Sequence, residues 1–162
     1  MKKKILVSGA AGYIGRNICA HLLQKGYRVT GSLLNEQETT LLPEGVTPFL
    51  TGPINGTTDW SGALEGVDGV VHLAALVHKK ESASEETASL YKTINTDATA
   101  NLAQQALNLG VRSFVFLSTV AVYGVHCTTA PLTAHSTINP TSYYGQSKWK
   151  AEEILTALFE ES

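Results

Sequence analysis

A glycine-rich turn near the start of the chain constrains its fold more than any other feature. Gly9, Gly12 and Gly15 are spaced Gly-x-x-Gly-x-x-Gly between a predicted buried strand over 4–8 and a predicted amphipathic helix over about 13–25. Glycines at such a turn let the backbone approach a pyrophosphate, whose charge the helix N-terminus stabilises. The spacing alone would also fit an ordinary turn. Between this strand and this helix, it predicts a dinucleotide-binding site.

Strand and helix patterns alternate along the rest of the chain. This alternation predicts parallel strands joined by right-handed crossovers. We therefore expect an α/β fold, a Rossmann-like doubly wound parallel sheet in three α/β/α layers with strand order 3-2-1-4-5. The further predicted elements are strands over about 27–33, 46–50, 68–74 and 113–118, helices over about 58–65, 86–109 and 142–160, a loop or weak helix over 35–44, and a mobile loop over 78–86.

The overall composition excludes several classes of partner. The chain has 162 residues, which fits one domain over 1–162, and a formal net charge of −2. It therefore lacks the basic field that nucleic acids or acidic membranes require. No apolar run approaches membrane-spanning length. Cys19 and Cys127 are the only cysteines and form neither a metal-binding spacing nor a disulfide framework. We expect a cytoplasmic protein without a metal, a nucleic-acid partner or a membrane anchor.

The end of the second predicted strand should decide between NAD and NADP. In such folds an Asp or Glu about twenty residues after the glycines holds the ribose 2′-hydroxyl, whereas an arginine accommodates a 2′-phosphate. That position falls near Leu33, and residues 30–36 provide neither an acid at the strand end nor an arginine. Ser32, Asn35 or Glu36 could substitute after a small register shift. The sequence therefore favours NAD without excluding NADP.

A tyrosine and a lysine in the last predicted helix form a candidate catalytic pair. Tyr144 and Lys148 are four residues apart, so they share one helix face. A phenol with an ordinary pKa of about 10 is a poor base at neutral pH, and a neighbouring ammonium lowers such a pKa. The pair fits a general acid/base that moves a proton to or from a sugar or alcohol oxygen. By itself, it would more often be an ordinary surface pair. Tyr143 has no lysine four residues on and is the weaker candidate.

Two hydroxyl residues and a histidine end other strands. Ser118 and Thr119 lie at the C-terminal end of the fifth strand, the sheet edge where ligands bind in open α/β folds. Either hydroxyl could bond the oxygen that Tyr144 protonates, or both could satisfy backbone groups at the strand end. For His72, which ends the fourth strand, we expect hydrogen bonds to the backbone rather than a catalytic role.

Several ordered motifs together resemble one family. They are Gly9-x-x-Gly12-Tyr13-Ile14-Gly15, His72-Leu73-Ala74-Ala75, Asn95, residues 114–124 and residues 140–148. The chain resembles the extended short-chain dehydrogenase/reductases, in particular the NAD-dependent epimerase/dehydratase group that acts on nucleotide sugars. Other segments are similar to a bacterial branch of UDP-sugar 4-epimerases and 4-keto-sugar reductases.

The resemblance implies a role for each matching residue. Tyr144 would be the acid/base, Lys148 would activate it and hold the nicotinamide ribose, and Thr119 would bond the reacting substrate oxygen. Asn95 would have a structural role near the cofactor. The implied cofactor-binding set is Gly9, Gly12, Tyr13, Ile14, Gly15, Leu73, Ala74, Ala75, Ser118 and Lys148.

The chain departs from the family pattern in three places. Leu33 stands where many members have the ribose acid, and Pro53 stands where many have an Asp that holds the adenine amine. Members are also about twice as long. We therefore expect this chain to be the cofactor-binding half of such a protein, with its C-terminal substrate domain absent.

The resemblance implies an NAD(P)-dependent nucleotide-sugar epimerase or 4-keto reductase, with a UDP-linked substrate favoured. Epimerase, reductase and dehydratase outcomes stay open at this level. The alternative is a non-catalytic NAD(P)-binding sensor or regulator on the same fold. Members usually dimerise through a pair of helices, which predicts a homodimer through the helices at about 86–109 and 142–160.

Overall fold

A single sheet of parallel strands organises the fold. The computed structural model describes residues 2–77, 84–124 and 131–160. In this part of the chain the strands β1 to β5 are Lys4–Ser8, Arg28–Leu33, Val46–Leu50, Gly69–His72 and Ser113–Phe116. Their spatial order is β3-β2-β1-β4-β5, and every neighbouring pair is parallel. The predicted Rossmann-like sheet and its strand order are confirmed.

Helices connect the strands, and none of the described ones is long and apolar enough to cross a membrane. The helices α1 to α5 are Tyr13–Gln24, Ser61–Leu64, Glu85–Tyr91, Ala98–Asn108 and Tyr143–Glu160. Short 3₁₀ helices cover Glu36–Leu41 and Val120–Tyr123, and a π-helical segment covers Lys92–Asp97.

Two hydrophobic cores lie on opposite faces of the sheet. Successive side chains of a strand point to opposite faces, so the adjacent residues Leu6 and Val7 enter different cores. Val7 packs with Cys19 of α1, whereas Leu6 packs with Leu64 of α2 and Leu102 of α4. Helices thus cover both faces, which confirms the predicted three-layer arrangement.

The long helix predicted over about 86–109 is interrupted. Residues 92–97 form a π-helical segment between α3 and α4, so the chain stays helical but gains one residue in that turn. The apolar spacing of four predicts a regular α-helix and does not reveal this insertion. The π segment contains Asn95 and Thr96, which are both buried and contact Ser147 near the start of α5.

Two further segments differ from their predicted secondary structure, and a third lies mostly outside the residues that the structure describes. The helix predicted over 58–65 shortens to α2, because the Asp59 carboxylate accepts the Ser61 N–H at 2.9 Å and starts the helix later. The weak segment over 35–44 forms the 3₁₀ helix Glu36–Leu41. Most of the predicted mobile loop, residues 78–83, lies outside the described residues.

The carboxyl ends of the strands meet at one edge of the sheet. Ser8 at the end of β1 is in register with His72 at the end of β4, and His72 is in register with Phe116 at the end of β5. The glycine turn after β1 and Thr119 after β5 therefore lie at the same edge. This is the edge at which open α/β sheets bind ligands.

Candidate functional site

A cleft of about 380 Å³ opens beside the carboxyl ends of β1, β2 and β4. Five of the predicted cofactor-binding residues lie on its wall, namely Gly9, Gly12, Leu73, Ala74 and Ala75. The remaining wall residues are Ala11, Ser32, Leu33, Leu34, Glu38, Thr51, Gly52, Pro53, Ile54, Leu76 and Ile94. The lining is largely apolar, with a few polar groups, as is usual for cofactor sites.

The glycine turn brings backbone very close to backbone on the floor of this cleft. Gly9 has φ +68°, and a Cβ there would lie 2.9 Å from the Ala74 nitrogen. A Cβ at Gly15 would lie 2.2 Å from the Gly9 carbonyl oxygen. A side chain at either position would therefore displace backbone. Glycine keeps the turn, the first turn of α1 and the segment after β4 packed together.

The N-terminus of α1 points its polar groups at this turn. The first-turn N–H groups of any α-helix lack an intrahelical acceptor, and here no side chain at the N-cap, Gly12, replaces it. Such a terminus favours a bound anion. The side chains of Tyr13 and Ile14 are exposed and line a separate shallow depression with Asn17 and His21. Their place in a cofactor site would thus be through the backbone.

A carboxylate that the expected ribose-acid position does not predict lies beside the end of β2. Glu38, in the 3₁₀ helix after β2, lines the cleft, and its Oε2 accepts the Leu34 N–H at 2.7 Å. Asn35 caps the same helix by accepting the Glu38 N–H at 3.3 Å. An Asn followed three residues later by a Glu is the sequence pattern of a capping box, in which the Glu side chain folds back over the helix start. That pattern was the available signal for Glu38.

The three residues considered at sequence level as substitutes for the ribose acid separate in the structure. Ser32 is buried on the cleft wall, and its hydroxyl accepts the Gly9 N–H at 3.4 Å. Asn35 and Glu36 line a different, shallower depression. Pro53, at the family's adenine-binding position, lies on the cleft wall without a side-chain hydrogen-bonding group.

Lys148 is buried although it carries a charge. Its side chain is 2% exposed, and its Nζ lies 3.8 Å from the centroid of the Phe116 ring. Burial lowers the Lys148 pKa to about 8, and the nearby Glu152 carboxylate opposes that shift. The group remains mostly cationic at neutral pH, and the aromatic face contributes to holding it. Glu152 was missed at sequence level, although it lies four residues after Lys148 and therefore on the same helix face.

Tyr144 lies one turn before Lys148 on α5 and is partly buried. Its ring centroid is 6.3 Å from that of Tyr91 in α3. The next residue is Gly145, where a Cβ would lie 2.6 Å from the Ala121 carbonyl oxygen. The absence of a side chain there lets the first turn of α5 pack directly against the segment that follows β5.

That segment carries Thr119 and Ser118. The Thr119 hydroxyl accepts the Ala121 N–H at 3.2 Å and caps the 3₁₀ helix, which leaves its proton available for donation. Because Ala121 also contacts Gly145, Thr119 lies on the side of the fold where α5 begins. The Ser118 hydroxyl donates instead to Glu152. Ser118 is thus connected to α5 at Glu152, one turn after Lys148.

Asn95 joins the cleft wall to α5. Its side-chain oxygen accepts the Leu76 N–H at 2.7 Å, and its amide donates to the Leu76 carbonyl at 3.1 Å and to the Ser147 hydroxyl at 3.0 Å. Ser147 in turn donates to the Tyr144 carbonyl at 2.8 Å. The Thr96 hydroxyl donates to the Ser147 carbonyl at 2.9 Å. The π segment therefore sets the distance between the cleft and the Tyr144–Lys148 helix.

His72 is hydrogen-bonded to side chains, which corrects the expected pairing with backbone. Its Nε2 lies 2.9 Å from the Thr99 hydroxyl, which itself donates to the Asn95 carbonyl at 2.7 Å, so Nε2 is the donor. Its Nδ1 accepts the Ser8 hydroxyl. Burial, helped by the Lys148 charge, lowers the His72 pKa to about 3. A buried, neutral and fully paired imidazole is suited to holding three elements together, and no sequence spacing links the partners.

Ser8 completes this network at the cleft. Its hydroxyl oxygen accepts the Leu73 N–H at 3.1 Å and the Ala74 N–H at 3.2 Å. The two cofactor-wall residues are thereby attached to the end of β1.

Among the residues that the structure describes, no group of three or more His, Cys, Asp or Glu side chains comes together in a way that could hold a metal ion.

Comparison with known proteins agrees with this geometry. The NAD dependent epimerase/dehydratase family matches residues 5–162. A UDP-glucose 4-epimerase from Vibrio cholerae is 35% identical over 170 residues, covering 100% of this chain and 49% of the relative. A UDP-glucose 4-epimerase from Streptomyces lividans is 32% identical, covering 96% of this chain and 47% of the relative.

Solved structures of this class share the fold. A UDP-galactose 4-epimerase has a TM-score of 0.81 at 28% identity, covering 97% of this chain and 52% of that one. A UDP-glucuronic acid 4-epimerase from Bacillus cereus in complex with NAD has a TM-score of 0.80 at 26% identity, with the same coverage. The chain thus spans about half the length of the relatives it matches. Because the family match covers nearly every residue, the chain belongs to the NAD-dependent epimerase/dehydratase family.

Proposed function

We propose that this chain is the NAD-binding half of a nucleotide-sugar 4-epimerase or of a related 4-keto-sugar reductase. The observation that carries the proposal is the buried Lys148 one helical turn after Tyr144, on a helix joined to the glycine-lined cleft through Asn95. A buried ammonium is costly unless it is paired or hydrogen-bonded, so keeping one at this position suits a functional role. We favour a UDP-linked substrate, because the similar proteins include a UDP-glucose 4-epimerase and a UDP-glucuronic acid 4-epimerase.

The residues of the cleft fit a dinucleotide. The turn at Gly9 and Gly15 has no room for a Cβ, and the uncapped N-terminus of α1 supplies N–H donors for a pyrophosphate. The apolar residues Leu73, Ala74 and Ala75 provide a wall for flat rings. We assign the pyrophosphate to the turn with the first-turn backbone of Tyr13 and Ile14, and the nicotinamide ribose to Lys148.

The chain's own polar groups fit proton transfer at a sugar carbinol. When bound, NAD supplies hydride transfer. Tyr144 takes the hydroxyl proton as the carbonyl forms and returns it in the reverse direction. Lys148 stabilises the phenolate that this requires, and Thr119, whose hydroxyl proton is available, donates to the same sugar oxygen. Ser118 acts indirectly, through its hydrogen bond to Glu152 beside Lys148.

Cofactor titration tests the proposed binding. We expect NADH fluorescence to increase and saturate when the protein is added, with NAD displacing the reduced cofactor. The physical reason is transfer of the nicotinamide from water to an apolar wall. The same titration with NADPH measures the preference directly. A protein that gives no saturable change with either cofactor, and no displacement, would remove the basis for both the enzyme and the sensor hypothesis.

We also propose that the protein forms a homodimer through the helical layer that contains α3, α4 and α5. In this chain α3 and α4, with the π segment between them, pack beside α5 and form a two-helix surface. Light scattering after size exclusion should give twice the mass of the protein chain. A single-chain mass at every concentration would contradict the dimer. The cytoplasmic location stays a prediction from the cysteine content.

A further inference from the structure

We infer that Glu38 is the residue that recognises the adenosine ribose and makes the cleft selective for NAD over NADP. The inference rests on the proposed NAD site. The position at which such folds place the ribose acid, the end of β2, is occupied here by Leu33 and Leu34. Glu38 reaches the same place in space from the following 3₁₀ helix, because the chain folds back after β2.

The position of the Glu38 carboxylate is held by the backbone around it. Oε2 accepts the Leu34 N–H at 2.7 Å, and Asn35 accepts the Glu38 N–H at 3.3 Å. The first bond attaches the carboxylate to the residue directly after β2. The second caps the 3₁₀ helix that carries Glu38. Glu38 is partly buried although its neighbours Gln37 and Thr39 are exposed. Its side chain is therefore folded onto the cleft rather than extended into solvent.

The charge pattern of the cleft gives Glu38 its selectivity. Among the described residues that line the cleft, Glu38 is the one with an ionisable side chain. An ionised carboxylate has about four lone-pair sites, and the Leu34 N–H uses one of them. The remaining sites suit the two donors of a ribose 2′,3′-diol. A 2′-phosphate would meet a like charge at this point and no arginine or lysine on the described wall.

The rival residues are less suitable for this role. Ser32 is nearly fully buried, and its hydroxyl is engaged by the Gly9 N–H, so it supports the turn. Asn35 and Glu36 face the neighbouring depression. A neutral hydroxyl or amide would also not repel a 2′-phosphate. Of the residues that the structure describes, only Glu38 combines a place on the cleft wall with a charge.

The test compares NADH and NADPH affinities, by fluorescence titration, for the unaltered protein and two variants. Glu38→Gln keeps an acceptor for the Leu34 N–H and removes the charge. We expect NADH affinity to fall about tenfold, since a charged hydrogen bond is lost, with NADPH affinity unchanged or higher. Glu38→Arg should raise NADPH affinity above that of the unaltered protein, because it supplies a partner for the 2′-phosphate. Far-UV circular dichroism checks that each variant is folded.

Glu44→Gln is the matched control, because Glu44 is exposed and lies outside the cleft lining. It should leave the NADH to NADPH ratio unchanged. Three results would overturn the inference: equal ratios in Glu38→Gln and the unaltered protein, an equal loss in Glu44→Gln, or no gain of NADPH binding in Glu38→Arg. Failure of the proposed function is distinguishable, because the unaltered protein would then bind neither cofactor.

Discussion

Phenylalanine in place of Tyr144 is expected to lower UDP-sugar turnover by the complete protein about 10²- to 10⁴-fold, the usual contribution of general acid/base catalysis. The substitution removes only the phenolic oxygen. The ring, which lies 6.3 Å from Tyr91, keeps its packing. Lys148 and the cleft are unchanged, so NADH affinity should stay within about twofold, a difference of about 0.4 kcal/mol. Turnover is measured as conversion of UDP-galactose to UDP-glucose in the presence of NAD.

Tyr143→Phe provides a matched control for this experiment. Tyr143 is the first residue of α5, is also partly buried, and has no lysine four residues on. The control should keep most of the turnover, and both variants should remain folded. Equal turnover of Tyr144→Phe and the unaltered protein would contradict the catalytic assignment. If the unaltered protein instead bound NADH but gave no turnover, the non-catalytic sensor would become the better description.

The second expected result concerns His72 and the stability of the fold in acid. The His72 pKa falls from 6.5 to about 3 on folding, chiefly because the ring is buried. The unfolded chain therefore binds more protons than the folded chain between these two values. The stability contribution is complete above pH 6.5 and is lost as the pH falls below that value. The free energy of unfolding should fall by about 1.4 kcal/mol per pH unit at the steepest part.

Replacing histidines by glutamine separates this effect from the titration of surface carboxylates. Urea unfolding is followed from pH 7 to pH 4 for the unaltered protein, His72→Gln and His21→Gln. His72→Gln should have a shallower acid slope and be about 1–3 kcal/mol less stable at pH 7, because the Ser8 and Thr99 hydroxyls lose their partner. His21 is exposed on α1, so its variant should keep the original slope. Identical slopes in all three proteins would exclude a buried neutral His72.

Short-range sequence patterns were sufficient for the architecture. The apolar runs and the glycine turn predict the strand order and the three layers, because alternating strands and helices have few permitted connections. The same patterns place Tyr144 and Lys148 on one helix face, since that relation depends on helix geometry alone. Leu33 and Pro53 stay predicted departures from the family pattern, and each is a property of a single position.

Patterns of the same range did not reveal the π segment at Asn95. Its side chain inserts between the cleft wall at Leu76 and α5 at Ser147, which are 19 and 52 residues away in the chain. A helical period of four describes contacts within one helix and carries no information about contacts with other parts of the fold, such as Leu76 and Ser147. The same holds for His72, whose partners Ser8 and Thr99 are 64 and 27 residues away.

The sequence by itself determined the fold, the dinucleotide turn and the candidate Tyr144–Lys148 pair, since each depends on residues within a few positions of one another. Only the tertiary structure decided which acid faces the cleft, what buries Lys148 and what pairs with His72. Glu38 illustrates the reason most directly. Its distance along the chain from the expected position makes it a poor match to the family pattern, yet the fold back after β2 returns its carboxylate to the Leu34 N–H. The local spacing of Asn35 and Glu38 is a signal for this fold-back, but only the tertiary structure shows that the carboxylate lies on the same cleft wall as Leu73 and Ala74.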